Sequence, residues 1–129
     1  MAQVIHPEEI METIEIGSLL PCVMALKRQH YRLSQACAAY VDERYELSYS
    51  FANDETYQFL TLRLVIDIDT EVPSITEIIP AAIFYENEMK EIFGVKIQMI
   101  SLDYNNKLYR INEVTPLGPK AAAEMEEEA

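Results

Sequence analysis

The sequence predicts an α+β fold: an antiparallel β-sheet of about three to four strands with one buried face, covered by two helices and followed by an extended C-terminal arm. Three observations predict it. Apolar residues alternate over residues 31–41, 44–51 and 57–69, the period of half-buried strands. The polar stretches "VDER" and "ANDET" between those runs are short enough to join them only as antiparallel neighbours. Two further segments repeat their apolar residues at helical spacing, and a sheet with one apolar face requires such a cover.

"TIEI", residues 13–16, reads as a short strand leading to Ser18, which caps a helix whose first turn holds Pro21. Leu19, Val23 and Leu26 form its buried stripe, and it ends near Gln29 or His30. In "YRLSQACAAYV" the residues Leu33, Cys37, Ala39 and Val41 share one face, with Gln35 interrupting it. The next strand is cleaner. Tyr45, Leu47, Tyr49 and Phe51 oppose Arg44, Glu46, Ser48 and Ser50, and after the turn Leu60, Leu62, Leu64, Ile66 and Ile68 oppose Thr61, Arg63, Asp67 and Asp69.

"TEVPS", residues 70–74, leaves the sheet. Pro80 opens the second helix, and Gly94 ends it as a left-handed cap, with Tyr85, Met89, Ile92 and Phe93 as the buried stripe. The remainder shows weak strand character at "LYRI", residues 108–111, and then loses apolar content. Residues 120–129 read as an acidic disordered tail, because an alanine run and four glutamates without an apolar stripe cannot offset the entropy of ordering.

Composition excludes several classes of function. At 129 residues, half of them apolar, the chain supports one core, and residues 1–119 read as a single domain. No run approaches the roughly 20 apolar residues needed to span a bilayer, and the N-terminus carries acids where a secretory signal carries lysine or arginine, so the expected location is cytoplasmic. A net charge of −12 with ten lysines and arginines leaves no basic surface for nucleic acid and suits a basic partner. Cys22 and Cys37 lack CxxC spacing, and with His6 and His30 scattered no zinc or iron–sulfur set assembles, so both thiols read as small core residues. No internal repeat or glycine-rich phosphate loop is present.

The second helix carries Glu86, Glu88 and Glu91 off its apolar stripe. Their spacing fans them around the helix, Glu86 can pair with Lys90 one turn on, and no histidine follows to complete a di-iron set. A solvated face, a docking face and an acid–base or metal site are the three readings of these acids, and hydrolytic use would require a cleft and polar partners not visible in the sequence.

"PSITEIIPAAIFYENEMKEIFGV", residues 73–95, resembles the signature of the 30 kDa subunit family of respiratory complex I: a "PS" turn, a helix with two glutamates around one residue, then an acid, a hydrophobic residue, Phe and Gly. Glu86, Glu88, Glu91, Ile92, Phe93 and Gly94 occupy those places, and Asn87 stands where the usual pattern has arginine. "ENE" followed by "FGV", with "YRLSQACA" and "YELSYSF", resembles the branch found in membrane-bound Ech-type energy-converting [NiFe] hydrogenases. The resemblance runs over about residues 12–119. It implies a non-catalytic subunit without a cofactor, packed on the cytoplasmic face of the membrane beside the large nickel–iron subunit and the iron–sulfur subunits, with no direct membrane insertion. It implies partner docking by Glu86, Asn87, Glu88, Glu91, Phe93 and Gly94, the acids meeting a neighbour's arginines in charge-assisted pairs; for Glu91 a solvated role stays open. The alternatives are the corresponding subunit of an NADH:quinone oxidoreductase-like complex and a free-standing acidic adaptor.

Overall fold

The computed structural model describes residues 9–109, 111 and 113–128. His6 and the start of the acidic N-terminus lie outside the described residues, as does Arg110 within "LYRI". Four strands form a mixed sheet in the order β1-β4-β3-β2: β1 is Glu9–Thr13, β2 Arg32–Val41, β3 Arg44–Ala52 and β4 Phe59–Asp67. The α+β class and the β2-β3-β4 meander agree with the sequence reading. The first strand does not: it precedes "TIEI" and runs parallel to β4, pairing Glu9 with Phe59 and Thr13 with Arg63.

The β2–β3 hairpin turns on Asp42 and Glu43, whose φ angles of 50° and 63° are the left-handed values of a two-residue hairpin loop. Strand β3 buries Tyr45, Leu47, Tyr49 and Phe51, and β4 buries Leu62, Leu64 and Ile66, as their alternation predicts. Strand β2 departs. A bulge between Leu33 and Gln35 inserts one extra residue, and each residue beyond it faces the opposite way. Ala36 and Ala38 are buried, while Cys37 and Val41 are exposed. Of the two thiols expected in the core, Cys37 instead faces outward, whereas Cys22 on the first helical segment is half-buried against the core; both cysteines are free.

Helix α1, Leu19–Arg28, lays Leu19, Val23 and Leu26 on the core. After β4, a three-residue strand β5, Glu71–Pro73, pairs in parallel with β6, Lys96–Gln98. Between them runs the second helical segment: a 3₁₀ turn at Pro80–Ala82, helix α2 at Ile83–Glu88, and a π-helical turn at Met89–Phe93 ending at Gly94 in the left-handed conformation (φ 86°, ψ 19°). Residues 99–118 then wrap this segment as irregular chain. Residues 120–128 of the expected disordered tail lie in helix α3, Pro119–Glu128. Pro119 at its first position and the amide of Ala122 donating to the Gly118 carbonyl account for its start.

Candidate docking helix and the loops it holds

The fan of acids expected on the outside of the second helix is largely inside. Glu86 is fully buried, Asn87 and Glu91 are nearly so, and only Glu88 is exposed. The π turn bears on Glu91 alone, because Glu86 and Asn87 precede it in α2 and are covered by residues 74–75 and by Leu102 and Tyr104 respectively. A π-helix adds a residue to the turn, so positions after Glu88 drift from the 100° steps that a regular α-helix would give. The wrapping of residues 99–109 over the helix covers the rest.

Each buried polar side chain fastens a different loop. Glu86 accepts hydrogen bonds from Ser74 Oγ at 2.5 Å and the Ile75 amide at 2.8 Å. Ser74 also bonds Thr76 Oγ1, which accepts from the Ser101 amide and side chain at 2.9 Å each, so one carboxylate organises two crossing segments. Burial pushes the Glu86 carboxyl above the usual range, against the pull of Ile75 and Ser74. The Tyr49 hydroxyl lies buried without a hydrogen-bond partner among the described residues, and its pKa is raised by burial and then by the Glu86 charge.

Asn87 uses its whole amide. Nδ2 donates to the Ile83 carbonyl at 2.8 Å and the Leu102 carbonyl at 2.9 Å, and Oδ1 accepts from the Tyr104 amide at 2.9 Å. Glu91 accepts from the amides of Leu108, at 3.0 Å, and Tyr109, at 3.2 Å. Lys90, expected to pair with Glu86, instead pairs with Asp103 at 2.6 Å. That contact, first as a hydrogen bond, holds the Asp103 carboxyl below the usual range, helped by the Asn105 amide. On the outer side Phe84 stacks on Tyr104, and burial and then the Glu88 carboxylate push the Tyr109 phenol up.

The end of the segment is held as closely. The Phe93 carbonyl accepts from Tyr45 Oη at 2.7 Å, the Leu117 amide donates to Ile92, and a Cβ on Gly118 would stand 2.5 Å from the Phe93 oxygen. The Phe93 ring is half-buried against the core. The sequence singled out Glu86, Asn87, Glu91 and Gly94 for partner docking with the acids turned outward, whereas the structure turns Glu86, Asn87 and Glu91 inward. The sequence reading missed Thr76, Ser101 and Tyr49, and read Ser74 only as part of the "PS" turn and not as a partner of Glu86. Among the described residues no three or more His, Cys, Asp or Glu side chains are grouped to hold a metal ion, and no helix is long and apolar enough to cross a membrane.

Residues 13–108 match the family described as respiratory-chain NADH dehydrogenase, 30 Kd subunit. The chain belongs to that family. A subunit of the NADH-quinone oxidoreductase of Chelativorans sp. (strain BNC1) is 27% identical in an alignment over 82 residues that covers 59% of this chain and 41% of that protein. The chain thus spans less than half the length of this curated relative. A chain from the structure of the membrane-bound sulfane sulfur reductase, an archaeal respiratory membrane complex, shares the fold with a TM-score of 0.74 at 18% identity, covering 98% of this chain and 82% of that one. The helix signature and its loops fall inside the matched region, while α3 follows it.

Proposed function

We propose that this chain is a cofactor-free, non-catalytic subunit of a membrane-anchored, complex I-related complex of the Ech-type [NiFe] hydrogenase branch. It packs on the cytoplasmic side of the membrane beside the large nickel–iron subunit and the iron–sulfur subunits, which carry the electrons between hydrogen and ferredoxin. Its own contribution is shape. The observation that carries this reading is the family match across residues 13–108, and the branch rests on Asn87 between the two glutamates.

The buried geometry divides the docking residues. Glu88 and the open edge of Phe93 touch the partner directly, whereas Glu86, Asn87, Glu91 and Gly94 hold the loops that form the contact surface. If Glu88 meets an arginine in a desolvated interface, Glu88→Gln weakens assembly by roughly 2 to 5 kcal/mol. The test is purification of the tagged chain from native membranes, with partners identified by mass and nickel measured. Recovery of the large nickel–iron subunit, and its loss with Glu88→Gln, supports the proposal; recovery of no membrane complex overturns it in favour of a free adaptor. A second reading, favoured by the 27% identical relative, is membership of an NADH-quinone oxidoreductase-type complex. NADH-binding subunits in place of nickel in the same preparation would decide for it.

A further inference from the structure

Glu88 is the charged side chain of helix α2 that is left outside. Glu86 is buried, and beyond α2 the carboxylate of Glu91 turns inward while Lys90 is taken by Asp103. Glu88 is exposed and is in no ion pair among the described residues. Phe84 stands four residues earlier, one turn along the same face of α2, with 58% of its surface open to solvent.

Two more rings come from the covering loop. Tyr104 stacks on Phe84, with ring centroids 6.3 Å apart and planes inclined by 22°. The Tyr109 phenol, 45% exposed, stands close enough to Glu88 to feel the charge of its carboxylate. Both loop residues are fastened from beneath: Asn87 Oδ1 accepts from the Tyr104 amide at 2.9 Å, and Glu91 accepts from the Tyr109 amide at 3.2 Å. Two buried side chains of the helix thus hold two rings beside its one outward carboxylate. Ring faces attract positive charge, and the carboxylate supplies the counter-ion, so the patch has the chemistry of a cation seat. The rings select the shape of the cation. A guanidinium is planar and can give two parallel N–H bonds to a carboxylate while its face lies on a ring, whereas a lysine ammonium is a compact, strongly hydrated point charge that does not stack.

We propose that Phe84, Glu88, Tyr104 and Tyr109 form a seat for an arginine side chain of a partner protein, its guanidinium paired with Glu88 and stacked on an aromatic ring. This rests on the outward docking role given to Glu88 above, and adds to it the rings that recognise the cation and the choice of arginine over lysine. Asn87 and Glu91 act as positioning residues, since they touch the rings' backbone and not the bound group.

The probe is the capped tripeptide acetyl-Gly-Arg-Gly-amide, titrated to about 20 mM, a range that resolves millimolar binding, into the full chain and followed by NMR at the rings of Phe84, Tyr104 and Tyr109. Saturable shifts at those rings are expected, with the arginine side-chain protons moved upfield by the ring faces. Binding should be about threefold weaker or more for the lysine analogue and absent for the citrulline analogue, which is planar but uncharged. Glu88→Gln abolishes the binding, and Phe84→Leu, at an exposed position and checked by an unchanged melt, lowers arginine to the level of lysine; the three peptides give the same answer without altering the protein. Equal binding of the arginine and lysine peptides, full arginine binding by Phe84→Leu, or no shift at these rings overturns the proposal. The reading of the chain as a complex subunit fails separately: if native membranes yield no complex while the chain still selects arginine, the seat stands and that reading falls, and the reverse pair of results removes the seat alone.

Discussion

Replacing Glu86 separates an inward structural role from an outward one. Glu86→Ala strands the Ile75 amide, which has no other acceptor among the described residues, at about 1–3 kcal/mol for an unsatisfied buried donor. Deleting one buried methylene adds about 0.8 kcal/mol. Ser74 keeps Thr76 as a partner, so its hydroxyl adds little. A loss of about 3 kcal/mol, or on the order of 10 °C in melting temperature, is expected at acidic to neutral pH. Glu86→Gln keeps an acceptor for Ile75 and should cost about 1 kcal/mol at neutral pH. It also removes the titration. Because burial raises the folded carboxyl above its ordinary value of 4.5, the group's stabilising contribution is complete below that pH and is lost as pH rises through the folded value. Wild-type stability should therefore fall relative to Glu86→Gln as pH rises above 4.5. Denaturant melts at several pH values measure the gap. A Glu86→Ala protein as stable as wild type, or a gap independent of pH, would refute the buried, loop-holding carboxylate.

Two glycines should respond differently. Gly94→Ala strains a φ of 86° and presses on Thr115 and Tyr45, with an expected loss of about 1–2 kcal/mol in urea melts. Gly118→Ala collides with the Phe93 carbonyl, so it should lift the arm and expose the Leu117 amide to hydrogen exchange while the core transition moves less. The thiols give a third check: Cys37, on the outer face of β2, should react with a soluble disulfide reagent about tenfold faster or more than half-buried Cys22 in the native protein, and should lose that advantage in denaturant. Equal native rates would place the β2 bulge elsewhere.

Where one rule governs, the sequence was readable. The alternation of Tyr45 to Phe51, the stripe of Leu19, Val23 and Leu26, and the glycine ending the second helix each follow from local period or φ preference, and the structure repeats them. The misreadings fall where one extra residue breaks the period. At Ser34 the bulge turned Cys37 outward, with Gln35 on the supposed apolar face as the visible clue. At Met89–Phe93 the π turn and the covering loop turned Glu91 inward, and no composition signal marks either. The parallel pairings of β1 with β4 and of β5 with β6 join residues far apart in sequence, which a scan of local windows cannot see. The α3 helix breaks a different expectation: its alanines and glutamates favour helix individually, a propensity outweighed in the sequence reading by its low apolar content. The candidate cluster was legible as a motif because its residues are neighbours in sequence; its loop partners at 74–76 and 101–109 were not.

The parallel place of β1 also sets an order of events during synthesis. Its partners in β4 lie 50 residues downstream, from Glu9 to Phe59, and a ribosome must complete the whole β2-β3 hairpin before that ladder can form. The hairpin closes locally and early, whereas β1 waits as an unpaired strand beside a helix that has no sheet to cover. A pause in translation before Phe59 would lengthen that wait, and β1 with its exposed Met11 would then be the segment first available to a chaperone.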